Sequence, residues 1–162
     1  MMVVAVGITA EQVQALGGAS SGLRTERMPS LLKCLVLSGD RGLRSRLEAV
    51  TELGGWESCD APVDADELSA AVEDGYRLVI ADIANPIGGR VTDTVEAAEE
   101  FAARPGTLLV VCGSEDSVDE ELWARQLGAW VYLPGVAGGD ALVSLFTEAR
   151  RLIERRGDRY FV

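Results

Sequence analysis

No histidine occurs among the 162 residues of this chain. That absence removes the commonest general base and the commonest zinc ligand, together with every Ser-His or Cys-His nucleophilic site. Cysteine is scarce as well: Cys34, Cys59 and Cys112 are odd in number, widely spaced and without a Cys-x-x-Cys pair. Two of them fall inside strand-like apolar runs, so buried reduced thiols are expected and metal ligands are not. Basic residues are outnumbered, 15 Lys and Arg against 26 Asp and Glu, which leaves a net charge of −11 and a pI near 4.4. Such a balance opposes binding to nucleic acid, whose phosphates attract cations, and to an anionic membrane surface. No apolar run approaches the roughly 20 residues needed to cross a bilayer. Met1–Ala10 is apolar but short and has no preceding basic stretch, which makes a poor secretory signal and leads to the expectation of a cytoplasmic protein.

What remains is the composition of a globular domain, with 48% hydrophobic and 25% charged residues. The length fits one domain with a substantial core. Residues 1–29 stand apart: an apolar start leads into Gly17, Gly18, Ala19, Ser20, Ser21 and Gly22, a linker-like composition, and a poorly anchored extension is expected there. Met28 lies directly before Pro29, Ser30 and the first strong strand signal, so translation is read as beginning at that methionine. The folded domain is expected over 30–156, with a short tail over 157–162.

From Leu31 onward strand and helix signals alternate. Leu31–Leu37 is an apolar run broken by Lys33, as in a strand covered on both faces. A helix with Leu43, Leu47, Val50 and Leu53 at helical spacing follows, with Asp40 as N-cap and Gly54 beyond its end. Trp56–Cys59 predicts a short strand, and Asp64 with Glu67 opens a helix through Leu68, Ala71 and Val72 that stops at Gly75. Leu78–Ala81 predicts a buried strand ending at Asp82, followed by a helix over 92–103 that Pro105 and Gly106 close. Thr107–Cys112 predicts the fourth strand; Ser117 and Glu120 open a helix through Leu122 and Leu127 to Gly128. Trp130–Leu133 predicts the fifth strand. A last helix from about Asp140 carries the stripe Leu142, Leu145, Phe146, Ala149, Leu152 and Ile153. Five such units with short connections predict a doubly wound α/β domain with a parallel sheet, order 2-1-3-4-5, and helices on both faces.

In that architecture a site lies beyond the carboxyl ends of the strands, here at Ser38 to Asp40, Asp82 to Pro86, Cys112 to Ser114 and Leu133 to Gly135. From about Leu31 to Arg156 the layout resembles the receiver domain of bacterial response regulators, with its CheY-like, flavodoxin-like fold. The resemblance rests on Lys33-Cys34-Leu35-Val36-Leu37 as first strand and Leu78-Val79-Ile80-Ala81-Asp82 as third. It also rests on Asn85-Pro86 shortly after, Gly128-Ala129 before the fifth strand and Tyr132-Leu133-Pro134 ending it.

The resemblance implies a phosphoacceptor aspartate at Asp82 and Mg²⁺ held between it and an acidic pair after strand one, since the metal neutralises both the carboxylate and the phosphoryl oxygens. In this sequence the pair aligns with Ser38 and Gly39, while Asp40 comes one position late and reads as a helix cap. Cys112 stands where a hydroxyl residue belongs, with Ser114 displaced by two, and Leu133 stands where a lysine belongs. One carboxylate holds Mg²⁺ weakly. Asp82 is therefore expected to hydrogen-bond backbone amides at the strand end without being efficiently phosphorylated, and no metal site is assigned. Gly88-Gly89 and Gly138-Gly139 match no phosphate-binding pattern, so no nucleotide and no cofactor is expected.

Trp123, Trp130 and Tyr132 fall on the face that receivers commonly use for dimerisation and for binding output domains, and a protein partner or self-association is expected through the fourth helix, fifth strand and fifth helix. Arg150, Arg151, Arg155, Arg156 and Arg159 give the last helix a basic end, favourable at a helix C-terminus or toward an acidic partner. The expected function is a non-enzymatic signalling or scaffolding module, a degenerate receiver acting through a protein partner or as a homodimer. The alternatives are a phosphoacceptor receiver using Asp82 in a two-component phosphorelay and a flavodoxin-like flavin carrier.

Overall fold

The computed structural model describes residues 32–135 and 138–158. The extension over 1–29, the start at Met28 and Arg159 lie outside the described residues. Strand β1 is Lys33–Leu37 and helix α1 is Arg41–Thr51; β2 is Ser58–Asp60 and α2 is Ala65–Val72. Strand β3, Leu78–Asp82, leads through a 3₁₀ turn at Ile87–Gly89 into α3, Val91–Ala102. Then come β4, Leu108–Gly113, α4, Val118–Leu127, β5, Val131–Pro134, and α5, Gly139–Asp158. The strands form one sheet in the order β2-β1-β3-β4-β5, every pair parallel, as the alternation predicts.

Local chemistry sets the helix starts. The Asp40 carboxylate accepts from Gly42 N at 2.8 Å, and that of Asp64 accepts from Glu67 N at 2.8 Å, each satisfying an amide that has no partner within its helix. Ser117 Oγ accepts from Glu120 N at 3.3 Å. The two expected capping boxes close differently from the reciprocal pattern. Glu67 reaches back to Val63 N at 2.9 Å, and Glu120 reaches past its cap to Ser114 N at 2.7 Å. Gly128 ends α4 at φ 91°, a left-handed conformation that glycine adopts without a Cβ clash.

The central strands are buried on both faces, which is why their sequences run apolar instead of alternating. One layer packs Cys34, Val36, Leu78, Ile80 and Val110 against Leu43 and Leu47 of α1 and Leu142, Phe146 and Ile153 of α5. The other packs Leu35, Leu37, Val79, Ala81 and Val111 against α2, α3 and α4.

Three expectations are corrected here. Leu53 is 72% exposed because α1 stops at Thr51 and the chain turns away from the core. Leu122 is 52% exposed; α4 buries the small Ala124 instead, so its inward face is read wrongly from apolar spacing alone. Trp56 lies ahead of β2, which starts two residues later at Ser58, because its indole turns into the α1/α5 layer. There its N–H donates to the Phe146 carbonyl at 2.8 Å and its ring meets the Phe146 ring edge-on, centroids 6.0 Å apart.

Among the described residues no helix is long and apolar enough to cross a membrane. Of the arginines on α5, Arg150 pairs with Glu154 and Arg151 with Glu148 on the same helix. Such exposed pairs contribute little to stability. Trp56→Phe is expected to lower stability by about 1–3 kcal/mol, through the lost N–H donor and ring volume. Urea unfolding checks this as a lower midpoint at unchanged slope.

Candidate functional site

Asp82 ends β3 at the rim of the sheet and is 2% exposed. Its register partner on β4 is Cys112, whose own partner on β5 is Leu133. Ser38, one residue beyond the β1 position paired with Ala81, lies alongside Asp82 and is fully buried. The structure thus gathers Ser38, Asp82, Cys112 and Leu133 at one level, as the strand spacing predicts.

The Asp82 carboxylate is occupied by protein donors. Ser38 Oγ donates to Oδ2 at 2.7 Å, Asn85 N donates to Oδ1 at 3.0 Å, and Asn85 Nδ2 lies 3.4 Å from Oδ2. The expected backbone amide contact is present in the Asn85 N–H; the serine hydroxyl, 44 residues earlier in the chain, is the partner that the sequence reading missed. Nothing in a single sequence signals a hydroxyl–carboxylate pair of that separation, beyond both residues ending neighbouring strands. Ser38 Oγ in turn accepts from Asp40 N at 3.0 Å. Asp40 acts as the α1 cap, its carboxylate accepting from Gly42 N, and makes no hydrogen bond to Asp82.

Gly39 closes the second position of the acidic pair sterically. Its N–H donates to the Asn85 carbonyl at 2.7 Å, and a Cβ built on it would stand 2.6 Å from the Pro86 carbonyl oxygen. A backbone atom cannot swing aside as a side chain does, so a carboxylate enters at position 39 only if the loop after β3 moves.

The remaining walls are apolar. A recess beside Asp82 is lined by Leu43, Leu47, Ile80, Cys112, Leu133 and Leu142, among others, with no lysine or arginine among the described residues. Burial, and then the negative charge of Asp82, push the Cys112 thiol up to about 12, so it stays neutral beside the carboxylate at physiological pH. Among the described residues no three His, Cys, Asp or Glu side chains converge as a metal site. A divalent cation of the kind receivers use does not fit this rim. A single carboxylate already engaged by three donor groups offers it too few free oxygens.

Next to the recess, Tyr132 Oη lies 3.0 Å from the Ser114 carbonyl and 3.2 Å from Glu120 Oε2, pinning the loop after β4. Burial and the Glu120 carboxylate hold the phenol above its ordinary range. Trp123, Trp130 and Tyr132 are all half-buried. Trp130 and Tyr132 share a groove with Glu121, Arg125 and Ala129, while Trp123 packs with Tyr132 against the α2/α3/α4 layer and Trp130 against the opposite one. Val118, 76% exposed, and Leu122, 52% exposed and four residues on along the same helix face, leave two aliphatic side chains of α4 open to solvent.

Restoring the missing acid tests the closure of the rim. Gly39→Asp is expected to destabilise the fold by about 1–3 kcal/mol, because its Cβ meets the Pro86 carbonyl oxygen and the loop after β3 has to shift. Ser38→Asp places a second carboxylate at Asp82 and is expected to lower stability at pH 7 and to recover it as the pH falls and one carboxyl protonates. Thermal unfolding across pH 4–8 checks both.

No protein-family model matches the sequence, and no curated protein is similar to it in sequence. Solved structures are similar in fold. A CheY-like response regulator receiver domain from Methanospirillum hungatei superposes with a TM-score of 0.64 at 21% identity, over 78% of this chain and 99% of that one. CheY4, a chemotaxis protein from Vibrio cholerae, gives 0.59 at 17% identity, over 74% and 99%. NtrX from Brucella abortus gives 0.65 at 20% identity, over 79% of this chain but only 29% of NtrX. A rim built on the third-strand aspartate, at the carboxyl edge of a 2-1-3-4-5 sheet, thus stands on the CheY-like fold of response-regulator receiver domains.

Proposed function

We propose that the chain is a non-enzymatic signalling or scaffolding module, an atypical receiver that acts through protein–protein contact without efficient phosphorylation of Asp82. The observation that carries this reading is the engaged carboxylate. Phosphorylation needs a free carboxylate oxygen as nucleophile and cations on the transferring group. Here both oxygens of Asp82 accept hydrogen bonds, Gly39 has no space for a second acid, and Leu133 stands where a cation is required.

The contact surface in this reading is α4 with β5. Val118 and Leu122 expose aliphatic side chains on α4, and Trp130 and Tyr132 line a groove with Glu121 and Arg125 of the same helix. Aromatic anchors with an aliphatic surround are the composition of interface centres. The partner is a protein, either another molecule or a second copy forming a homodimer. The acidic balance of the chain favours neither nucleic acid nor an anionic membrane, and its place is in the cytoplasm.

Two outcomes are expected. Incubation with a small-molecule phosphodonor and Mg²⁺ leaves the intact mass unchanged; a stoichiometric phosphate adduct that disappears in Asp82→Ala overturns the proposal in favour of a working phosphorelay receiver. Leu122→Asp combined with Trp130→Ala is expected to reduce partner capture from the native host, or self-association by sedimentation, at least tenfold while circular dichroism stays unchanged; undiminished capture removes α4 and β5 as the surface.

A further inference from the structure

Cys34 and Cys59 are 25 positions apart in the chain yet are register partners on the parallel neighbours β1 and β2. Register partners in a parallel pair point to the same face, and both cysteines pack in the α1/α5 layer. Neighbouring strands lie about 4.8 Å apart, inside the Cα separation of about 4.4–6.8 Å that a disulfide spans. We propose that Cys34 and Cys59 form a reversible thiol–disulfide pair, closed by peroxide-class oxidants and reopened by low-molecular-weight thiols, that ties the edge strand β2 to β1.

The two thiols differ in the way such chemistry requires. Cys34 is fully buried, whereas Cys59 is half-buried on the edge strand. Burial raises the Cys34 thiol well above its ordinary range, while hydrogen bonding by Cys34 lowers that of Cys59 against the opposing effect of its own burial. Cys59 is thus the attacking group and Cys34 the resolving one. The Cys59 thiolate sulfur attacks one peroxide oxygen, the O–O bond breaks, and the departing oxygen leaves as hydroxide, giving a sulfenic acid on Cys59. The Cys34 sulfur then attacks the Cys59 sulfur, the S–S bond forms as the S–O bond breaks, and water leaves with the Cys34 proton. Two thiols lose two electrons, and the peroxide gains them and ends as two waters.

The fold determines which side yields. Lateral neighbours keep their Cβ atoms at roughly the strand spacing, whereas a disulfide draws them to about 3.5–4.5 Å, so one strand has to move inward. β1 is held between β2 and β3, but β2 has only three residues, none of them fully buried, and among the described residues no strand pairs with its outer side. A bridge closed under strain is readily reduced, which suits reversible regulation in a reducing compartment better than a permanent cross-link. Cys112, buried on β4 with its thiol near 12, is the internal control.

The full-length reduced protein is exposed to hydrogen peroxide, alkylated under denaturing conditions and mapped by peptide mass. The expected result is one intramolecular link joining the Cys34 and Cys59 peptides, Cys112 alkylated, and all three cysteines alkylated again after dithiothreitol. In Cys34→Ser, or in Cys34→Ala should the serine impair folding, dimedone is expected to label Cys59; in Cys59→Ser no link forms. Full alkylation of Cys34 and Cys59 in the peroxide-treated wild-type chain overturns the proposal, as does a sulfinic acid at Cys59 without a link, or a link between two chains.

Discussion

The hydrogen bond from Ser38 to Asp82 governs the whole rim of the sheet. It joins the ends of β1 and β3, the two central strands between which the chain order reverses, and it does so where both groups are shielded from water. A buried carboxylate needs donors, and with no cation in the lining beside it the protein supplies those donors itself. The loop after β3 folds inward accordingly. Asn85 turns its amide onto Asp82 and its carbonyl onto Gly39, and Pro86 then fills the space that a side chain at 39 would occupy.

A single carboxylate at the rim and apolar packing around it are two sides of one arrangement. With Leu133 and Cys112 beside it, the surroundings of Asp82 are hydrophobic on the α1/α5 side. Interactions in such surroundings are less screened than in water, so the carboxylate depends on its hydrogen bonds. Asp66 and Glu67 of α2 and Asp119, Glu120 and Glu121 of α4 lie instead in helix first turns, where they complement helix dipoles.

Specific interaction is therefore best sought away from the rim. On α4 the buried position is held by Ala124, a small side chain that lets the helix lie close on the sheet, with Leu127 half-buried beside it, while Val118 and Leu122 are exposed. At the opposite edge, β2 is short and weakly buried, so the two edges of this sheet differ in kind: one carries apolar contact area and the other carries a thiol pair.

The order of elements and most helix boundaries were legible in the sequence because they depend on local chemistry: apolar runs for strands buried on both faces, Asp40, Asp64 and Ser117 as caps, Gly128 as a stop. The alignment of Ser38, Asp82, Cys112 and Leu133 followed from strand spacing as well, since parallel strands of similar length end at one level. Tertiary structure alone decided what those residues touch. The contacts of Ser38 with Asp82, of Gly39 with Pro86 and of Cys34 with Cys59 depend on register and loop path, which act between residues far apart in the chain. Leu53, Leu122 and Trp56 show the same division from the other direction. Hydrophobicity makes burial favourable for each, but whether another element arrives to cover it is set by the packing of the whole domain.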